Sequence, residues 1–373
     1  MHPENIARFG EYLQSRGMTA ALLSNPFTLT WLTGYAAPIQ TGSSPFDGGP
    51  ALGWLREGQL TLIVSDGEAP AARNTGAKVR EYAGYTVDLP LDCTERQAAV
   101  LGDVLAKAAD GVRHVAYEPD YLTAALQAVA QGALPRATWQ PLGPEAACLR
   151  AVKTADEIRK IRAAVHLCDV GQQDVREHRV PGLSELELWA SLKARMETAA
   201  GGRLPVLADL VAGPRTAEIG GLPSGYRLTE GDAIICDLVP RLDGYWGDNC
   251  GTHFVGAPSP TLEKMYTTVN DVLLRLVAAV RPGVPARALD EMARSAIRAA
   301  GYEPFPHHTG HGVGVAYHEE PRLVPYNPMV LEAGMVIAIE PGIYVPGTGG
   351  VRLEHVLLVT ADGAEVLTQH LPH

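Results

Sequence analysis

Apolar positions in the first third of the chain switch between two periods. Residues 5–16 carry them at helical spacing, and AALLSNP (20–26) and QLTLIVSD (59–66) are apolar runs of strand length. Helical spacing returns over 95–108 and 121–131, with VRHVAYE (112–118) between them. This order predicts an α/β layered domain, without a glycine-rich phosphate loop. The segment APIQTGSSPFDGGP (37–50) breaks both periods. Its glycine, proline and serine mark either an exposed connection or a flap that reaches an active site, its own or a partner subunit's. Trp31 or Tyr35 would contribute from the same region. The turn-rich PLGPEAACLR (141–150) then gives way to a long helical pattern, VKTADEIRKIRAAVHLCDVGQQDV (152–175). We place the domains at 1–145 and 146–373.

The second domain repeats its own pattern. Leu228–Asp237 reads LTEGDAIICD and Leu331–Glu340 reads LEAGMVIAIE. Each starts at leucine, has glycine fourth, runs through an apolar stretch and closes on a carboxylate. A helix-starting phrase precedes each: VPGLSELELWASLKARMETAAG (180–201) and RPGVPARALDEMARSAIRAAG (281–301). Two similar halves about a pseudo-twofold axis explain this, and would bring the closing carboxylates together.

Composition narrows the function. With 46% hydrophobic residues in 373, a sizeable core is available, and a net charge of −11 disfavours nucleic acid or an anionic membrane as partner. The five cysteines are scattered, without a CxxC pair, which fits a reducing, cytoplasmic compartment. The N-terminus lacks the apolar core of a signal peptide, and no apolar run reaches 18 residues.

Carboxylates that close apolar strands are costly unless something compensates them. Asp248 follows Asp237 across PRLDGYWG, and Glu354 follows Glu340 across PGIYVPGTGG. A hairpin in each half would converge all four acids. Two divalent cations would balance Asp237, Asp248, Glu340 and Glu354, and a neutral histidine can add a ligand without disturbing that balance. HHTGHGVGVAYH (307–318) is a candidate source. Its glycines argue against the helix that an i, i+4 histidine spacing first suggests.

At this point DLVPRLDGYWGDNCGTHF, HHTGHGVGVAYHEEP, IEPGIYV and GVRLEH resemble the pita-bread metallopeptidases, the group of methionine aminopeptidase, aminopeptidase P and prolidase. RAVKTADEIRKIR is similar to the opening of the catalytic domain in the proline-specific members. The resemblance implies a creatinase-like N-terminal α/β domain followed by a pita-bread catalytic domain. It implies that Asp237 chelates one metal, Asp248 and Glu354 bridge two, and His311 and Glu340 hold the second. Mn²⁺ is expected before Co²⁺ or Zn²⁺. Glu340 would also shuttle a proton, His307 and His318 would line the substrate side, and Arg352 would lie near the leaving proline or brace a ligand. His308 has no chemical role in this assignment, and Glu319 is either a helper near the water or a solvated charge.

The implied activity is that of an Xaa-Pro dipeptidase acting on small peptides with proline at the second position, in a homodimer.

 The alternatives are an aminopeptidase P-like enzyme taking longer peptides, a hydrolase of another C–N bond, and an inactive binding module on the same scaffold. Two departures stand out. The family's histidine seventeen residues before the first metal aspartate is Gly220 here, and His355 follows the bridging glutamate where the family often has an acid.

Overall fold

The computed structural model describes residues 1–39 and 44–371; residues 40–43 of the expected flap lie outside the described residues. The chain divides into two compact units, Met1–Leu149 and Arg150–His373.

The first unit is built on a six-stranded mixed sheet. Its strand order is Lys78–Tyr82, Gln59–Ser65, Leu52–Arg56, Ala20–Leu23, His114–Tyr117 and Thr138–Pro141. Helices Pro3–Ser15, Cys93–Lys107 and Ala124–Ala133 fall close to the predicted helical stretches. The apolar run at 20–26 is shorter as a strand than expected. Asn25 caps the next helix by accepting from the Phe27 amide, and Pro26 opens that helix, where its missing N–H costs nothing. Leu22, Leu52, Ile63, Leu101 and Val115 form the centre of this unit's core.

The second unit has two similar halves. In the first, helices Ala155–His178 and Glu185–Ala200 cover a sheet containing Asn249–Phe254, Ala233–Leu242 and Val206–Ala212. In the second, helices Pro260–Ala279 and Ala286–Ala299 cover a sheet ordered Glu319–Leu323, Gly310–Gly312, Val336–Ile339, His355–Val359 and Ala364–Val366. A separate hairpin pairs Gly342–Val345 with Gly349–Arg352. Both helices of the first half open with a capping box, Thr154 with Glu157 and Ser184 with Glu187, which satisfies amides that the first turn leaves without partners.

The repeat extends to backbone detail. Ser184 bridges Arg227 in one half and Pro285 bridges Val330 in the other. The Gly182 amide donates to Leu228 O at 2.8 Å, and the Gly283 amide donates to Leu331 O at 2.9 Å. Each half also has its own core. Val175, Leu188, Leu192, Ile234 and Leu238 pack together in the first, and Leu273, Leu276, Leu289, Ile337 and Leu357 in the second. Each such buried side chain contributes roughly 1.5–3 kcal/mol, so the two sheets are held as rigid platforms for the polar residues between them.

Candidate metal centre

Two strands and their continuations present the acids of the first half. Along Ala233–Leu242, Ile234, Cys236 and Leu238 pack under the helices, so Asp237 points the other way. The apolar run ends at Asp237, but the strand does not. It continues to Leu242 because Val239 and Pro240 keep pairing with Leu207 and Val206. Asp237 is therefore a mid-strand residue, with Cys250 directly opposite on the neighbouring strand. Asp248 precedes that neighbouring strand. The Trp246 amide donates to Gly314 O at 2.8 Å, fastening this turn to the histidine segment of the other half.

The histidine segment holds a short strand, Gly310–Gly312, and no helix. His311 lies in Gly310–Gly312, opposite Ala338. A Cβ at Gly310 would stand 2.0 Å from Ala338 O, and one at Gly312 would stand 2.3 Å from Glu320 O. The flanking glycines let three backbones crowd around His311. His311 Nδ1 lies 3.0 Å from Gly312 O, which turns Nε2 toward the carboxylates. Glu340 leaves the strand Val336–Ile339 with its amide bonded to Thr309 O at 2.9 Å. The Glu354 amide donates to Cys250 O at 3.0 Å, which ties it to the first half.

These elements bring the five sequence-predicted ligands together. Asp248, His311 and Glu354 form one group whose ligand atoms lie within 4.8 Å of one another, and Asp237, Glu340 and Glu354 form a second. His311 Nε2 is 3.5 Å from Asp248 Oδ2 and 3.6 Å from Glu340 Oε1. Burial, with the Asp237 and Glu340 charges next, pushes the Asp248 carboxyl well above its usual range. Glu354 moves the same way through burial and the charges of Asp248 and Asp237. Asp237 rises to about 6 from burial, with Arg352 opposing. Burial pulls His311 down to about 3, leaving a neutral nitrogen. Asp237 Oδ1 and Glu354 Oε1 are buried with no hydrogen-bond partner among the described residues. Unpaired buried carboxylate oxygens beside a neutral imidazole fit divalent cations, which would remove the repulsion that raises these acids.

Around this cluster stand the other predicted residues. His307 Nε2 lies 2.9 Å from the Tyr344 hydroxyl, and its ring stacks on Phe305 with centroids 4.8 Å apart. His318 is exposed, its ring 4.2 Å from that of His311, and burial of part of the ring lowers it to about 4. Arg352 is buried; Nη2 donates to Asp237 Oδ2 at 2.7 Å and to Asp209 Oδ2 at 3.1 Å. In this structure it braces Asp237. His355 is buried and lies 2.7 Å from Thr368 Oγ1, outside the ligand groups.

Three residues took on contacts that the sequence did not suggest. His308 lies 2.9 Å from Glu340 Oε1 and, against the burial that would raise it, helps hold that carboxyl down at about 2. Glu319 is neither a helper near the cluster nor solvated. It is buried and paired with Arg150 and Lys153. Asp209 shares Arg352 with Asp237. An acid inside the otherwise apolar LPVLADLVAG (204–213) was its one sequence signal. A cavity of about 540 Å³ opens beside Asp237 and His318, walled by Asp209 and by apolar groups including Trp189, Leu222, Val239 and Tyr317.

Comparison with known proteins agrees with this arrangement. Residues 159–361 match the model of metallopeptidase family M24, and residues 5–152 match the creatinase/prolidase N-terminal domain. An Xaa-Pro dipeptidase of Pyrococcus furiosus is 38% identical over 59% of this chain and 64% of its own. The structure of an Xaa-Pro dipeptidase from Bacillus anthracis superposes with a TM-score of 0.83 at 27% identity, covering 99% of this chain and 98% of that one. An X-Pro aminopeptidase from Thermotoga maritima shares the fold, with a TM-score of 0.82 at 24% identity over 98% of both chains. A repeat-built pair of sheets converging four acids and a histidine, matched over most of its length by that family's model, makes this chain a member of metallopeptidase family M24, the pita-bread metallopeptidases.

Proposed function

We propose that the protein is a dinuclear metal-dependent Xaa-Pro dipeptidase. The convergence of Asp237, Asp248, His311, Glu340 and Glu354 on two overlapping ligand groups carries this reading. The likeness to Xaa-Pro dipeptidases supports the substrate class. Asp237, Asp248, His311, Glu340 and Glu354 would hold two divalent ions, with Mn²⁺ suited to an oxygen-rich set. Such ions supply Lewis acidity, polarising a carbonyl and making water a nucleophile at neutral pH.

The protein's own groups do the rest. Glu340, kept ionised beside His308, is placed to take a proton from the attacking water and pass it to the leaving nitrogen. That transfer is required because the scissile nitrogen, here the proline ring nitrogen, must gain a proton to leave as an amine. His318 stands at the exposed edge of the cluster, next to the cavity, where it can donate to the developing oxyanion. His307 is held by Tyr344 and Phe305 as a fixed wall for the proline ring. The free state of all five cysteines supports a reducing, cytoplasmic setting, and a homodimer accompanies the reading through the family resemblance. No helix among the described residues is long and apolar enough to cross a membrane.

The Mn²⁺-loaded protein given Ala-Pro and Ala-Pro-Ala tests this. Preferential hydrolysis of the dipeptide is expected. Equal or better hydrolysis of the tripeptide would move the protein to the aminopeptidase P-like alternative, and no hydrolysis of either would overturn the reading.

A further inference from the structure

Arg352 is a buried cation in contact with Asp237 of the cluster, and its surroundings decide what it can bind. The register of Val206–Ala212 against Ala233–Leu242 places Asp209 directly opposite Asp237. Two like charges at opposed positions repel. Arg352 Nη2 sits between them and donates to both. Nη1 donates to Ile219 O and, at 3.2 Å, to the Tyr344 hydroxyl. The side chain is only 3% exposed. A guanidinium recognises a carboxylate through an open, two-pronged edge, and here both terminal nitrogens are already engaged.

The segment beside Asp209 is shaped to this arrangement. Asp209 Oδ1 accepts from the Gly221 amide at 2.9 Å. A Cβ built at Gly220 would lie 2.1 Å from Asp209 Oδ2. Any side chain at 220 would displace the carboxylate from Arg352. Ile219, whose carbonyl completes the guanidinium's contacts, holds a φ of 60°, a conformation that a β-branched residue adopts only when its neighbours enforce it. Asp209 also faces the cavity, and no lysine or arginine lines that cavity among the described residues.

We propose that Asp209 is a specificity-determining residue that withholds Arg352 from the substrate. The site then selects its leaving residue by ring shape and length and is indifferent to a free terminal carboxylate. Dipeptides and dipeptide amides are equivalent substrates. This inference rests on the Xaa-Pro reading for its substrates, and its test keeps the two apart.

Turnover of Ala-Pro and Ala-Pro-amide is measured for wild type and Asp209→Asn, both loaded with Mn²⁺. Binding of proline and of prolinamide to the same proteins is measured by calorimetry, which needs no turnover. Asparagine keeps an acceptor for the Gly221 amide, and a melting curve checks that the variant is folded. In wild type, kcat/KM for acid and amide should agree within about threefold, and proline and prolinamide should bind alike. In Asp209→Asn, Arg352 Nη2 loses one of its two carboxylate partners, and both ratios should shift toward the free acid by roughly tenfold, within the range of a charge-assisted hydrogen bond. The shift in the acid-to-amide ratio should fall in KM. A wild-type preference for the free acid of about tenfold or more would overturn the proposal. So would a proline-to-prolinamide ratio unmoved by Asp209→Asn, absence of binding included. Failure of both peptides to turn over, with the binding ratio shifted as expected, would instead remove the Xaa-Pro reading and leave the role of Asp209 standing.

Discussion

Glu319→Gln isolates a device that holds the histidine segment in place. Glu319 Oε2 lies 3.2 Å from Lys153 Nζ, and Oε1 lies 3.3 Å from Arg150 Nε and accepts from the Ala316 amide at 3.1 Å. The side chains of Glu319 and Lys153 are 2% and 1% exposed. The substitution preserves shape and one acceptor but removes the charge that compensates two buried cations. Breaking a buried pair from one side costs about 3–5 kcal/mol, and the retained acceptor places this case near the lower end. For a unit of this size, about 3 kcal/mol corresponds to a fall in Tm on the order of 10 °C. Thermal and urea unfolding of chelator-treated wild type and variant would measure it without the contribution of bound metal. The double variant Glu319→Gln/Lys153→Met should recover part of the loss, because it removes one of the stranded cations. A loss below about 0.5 kcal/mol in Glu319→Gln, the level of an ordinary surface change, would refute the clamp.

Two further outcomes follow from buried polar groups. His253, 2.7 Å from Gln172 Oε1, is lowered to about 3 by burial, so folding requires it neutral. Its contribution is intact above the unfolded value near 6.5 and is lost as pH falls below it; the stability difference between wild type and His253→Gln should shrink by about 2 kcal/mol from pH 7 to pH 5, and a pH-independent difference in urea unfolding would contradict this. Arg294 Nε is shared between the two carboxylate oxygens of Asp290, at 3.0 and 2.9 Å, and its terminal nitrogens donate to Phe305 O and His307 O, both at 2.7 Å. Arg294→Met should destabilise by about 3 kcal/mol and speed amide exchange over 305–309, and unchanged exchange there would show that the loop is held by something else.

The four acids of the candidate metal centre were legible because each closes or follows an apolar run, and because the run occurs twice at nearly constant separation. The glycines around His311 were legible as a veto on helix, and the structure gives their reason in the close carbonyls of Ala338 and Glu320. What the sequence hid are pairings between distant segments. Glu319 finds Arg150 and Lys153 more than 160 residues away, so its sequence neighbourhood offered only a helper near the water or a solvated charge. Asp209 meets Arg352 across 143 residues, and only strand register decides that it stands opposite Asp237. His308 and His307 are adjacent in sequence, yet the turn of the backbone sends one to Glu340 and the other to Tyr344. Strand ends shifted for local reasons: Pro26 converts the end of an apolar run into a helix start, and cross-strand pairing carries the Asp237 strand on to Leu242.

The central claim is that five residues hold two divalent ions which the hydrolysis requires. Elemental analysis of Mn²⁺-reconstituted wild type and His311→Ala, paired with Ala-Pro hydrolysis on the same samples, tests it most directly. Two metal equivalents per chain and turnover are expected for wild type, with loss of metal and of most activity in His311→Ala. A His311→Ala protein that keeps two equivalents and full turnover would contradict the account.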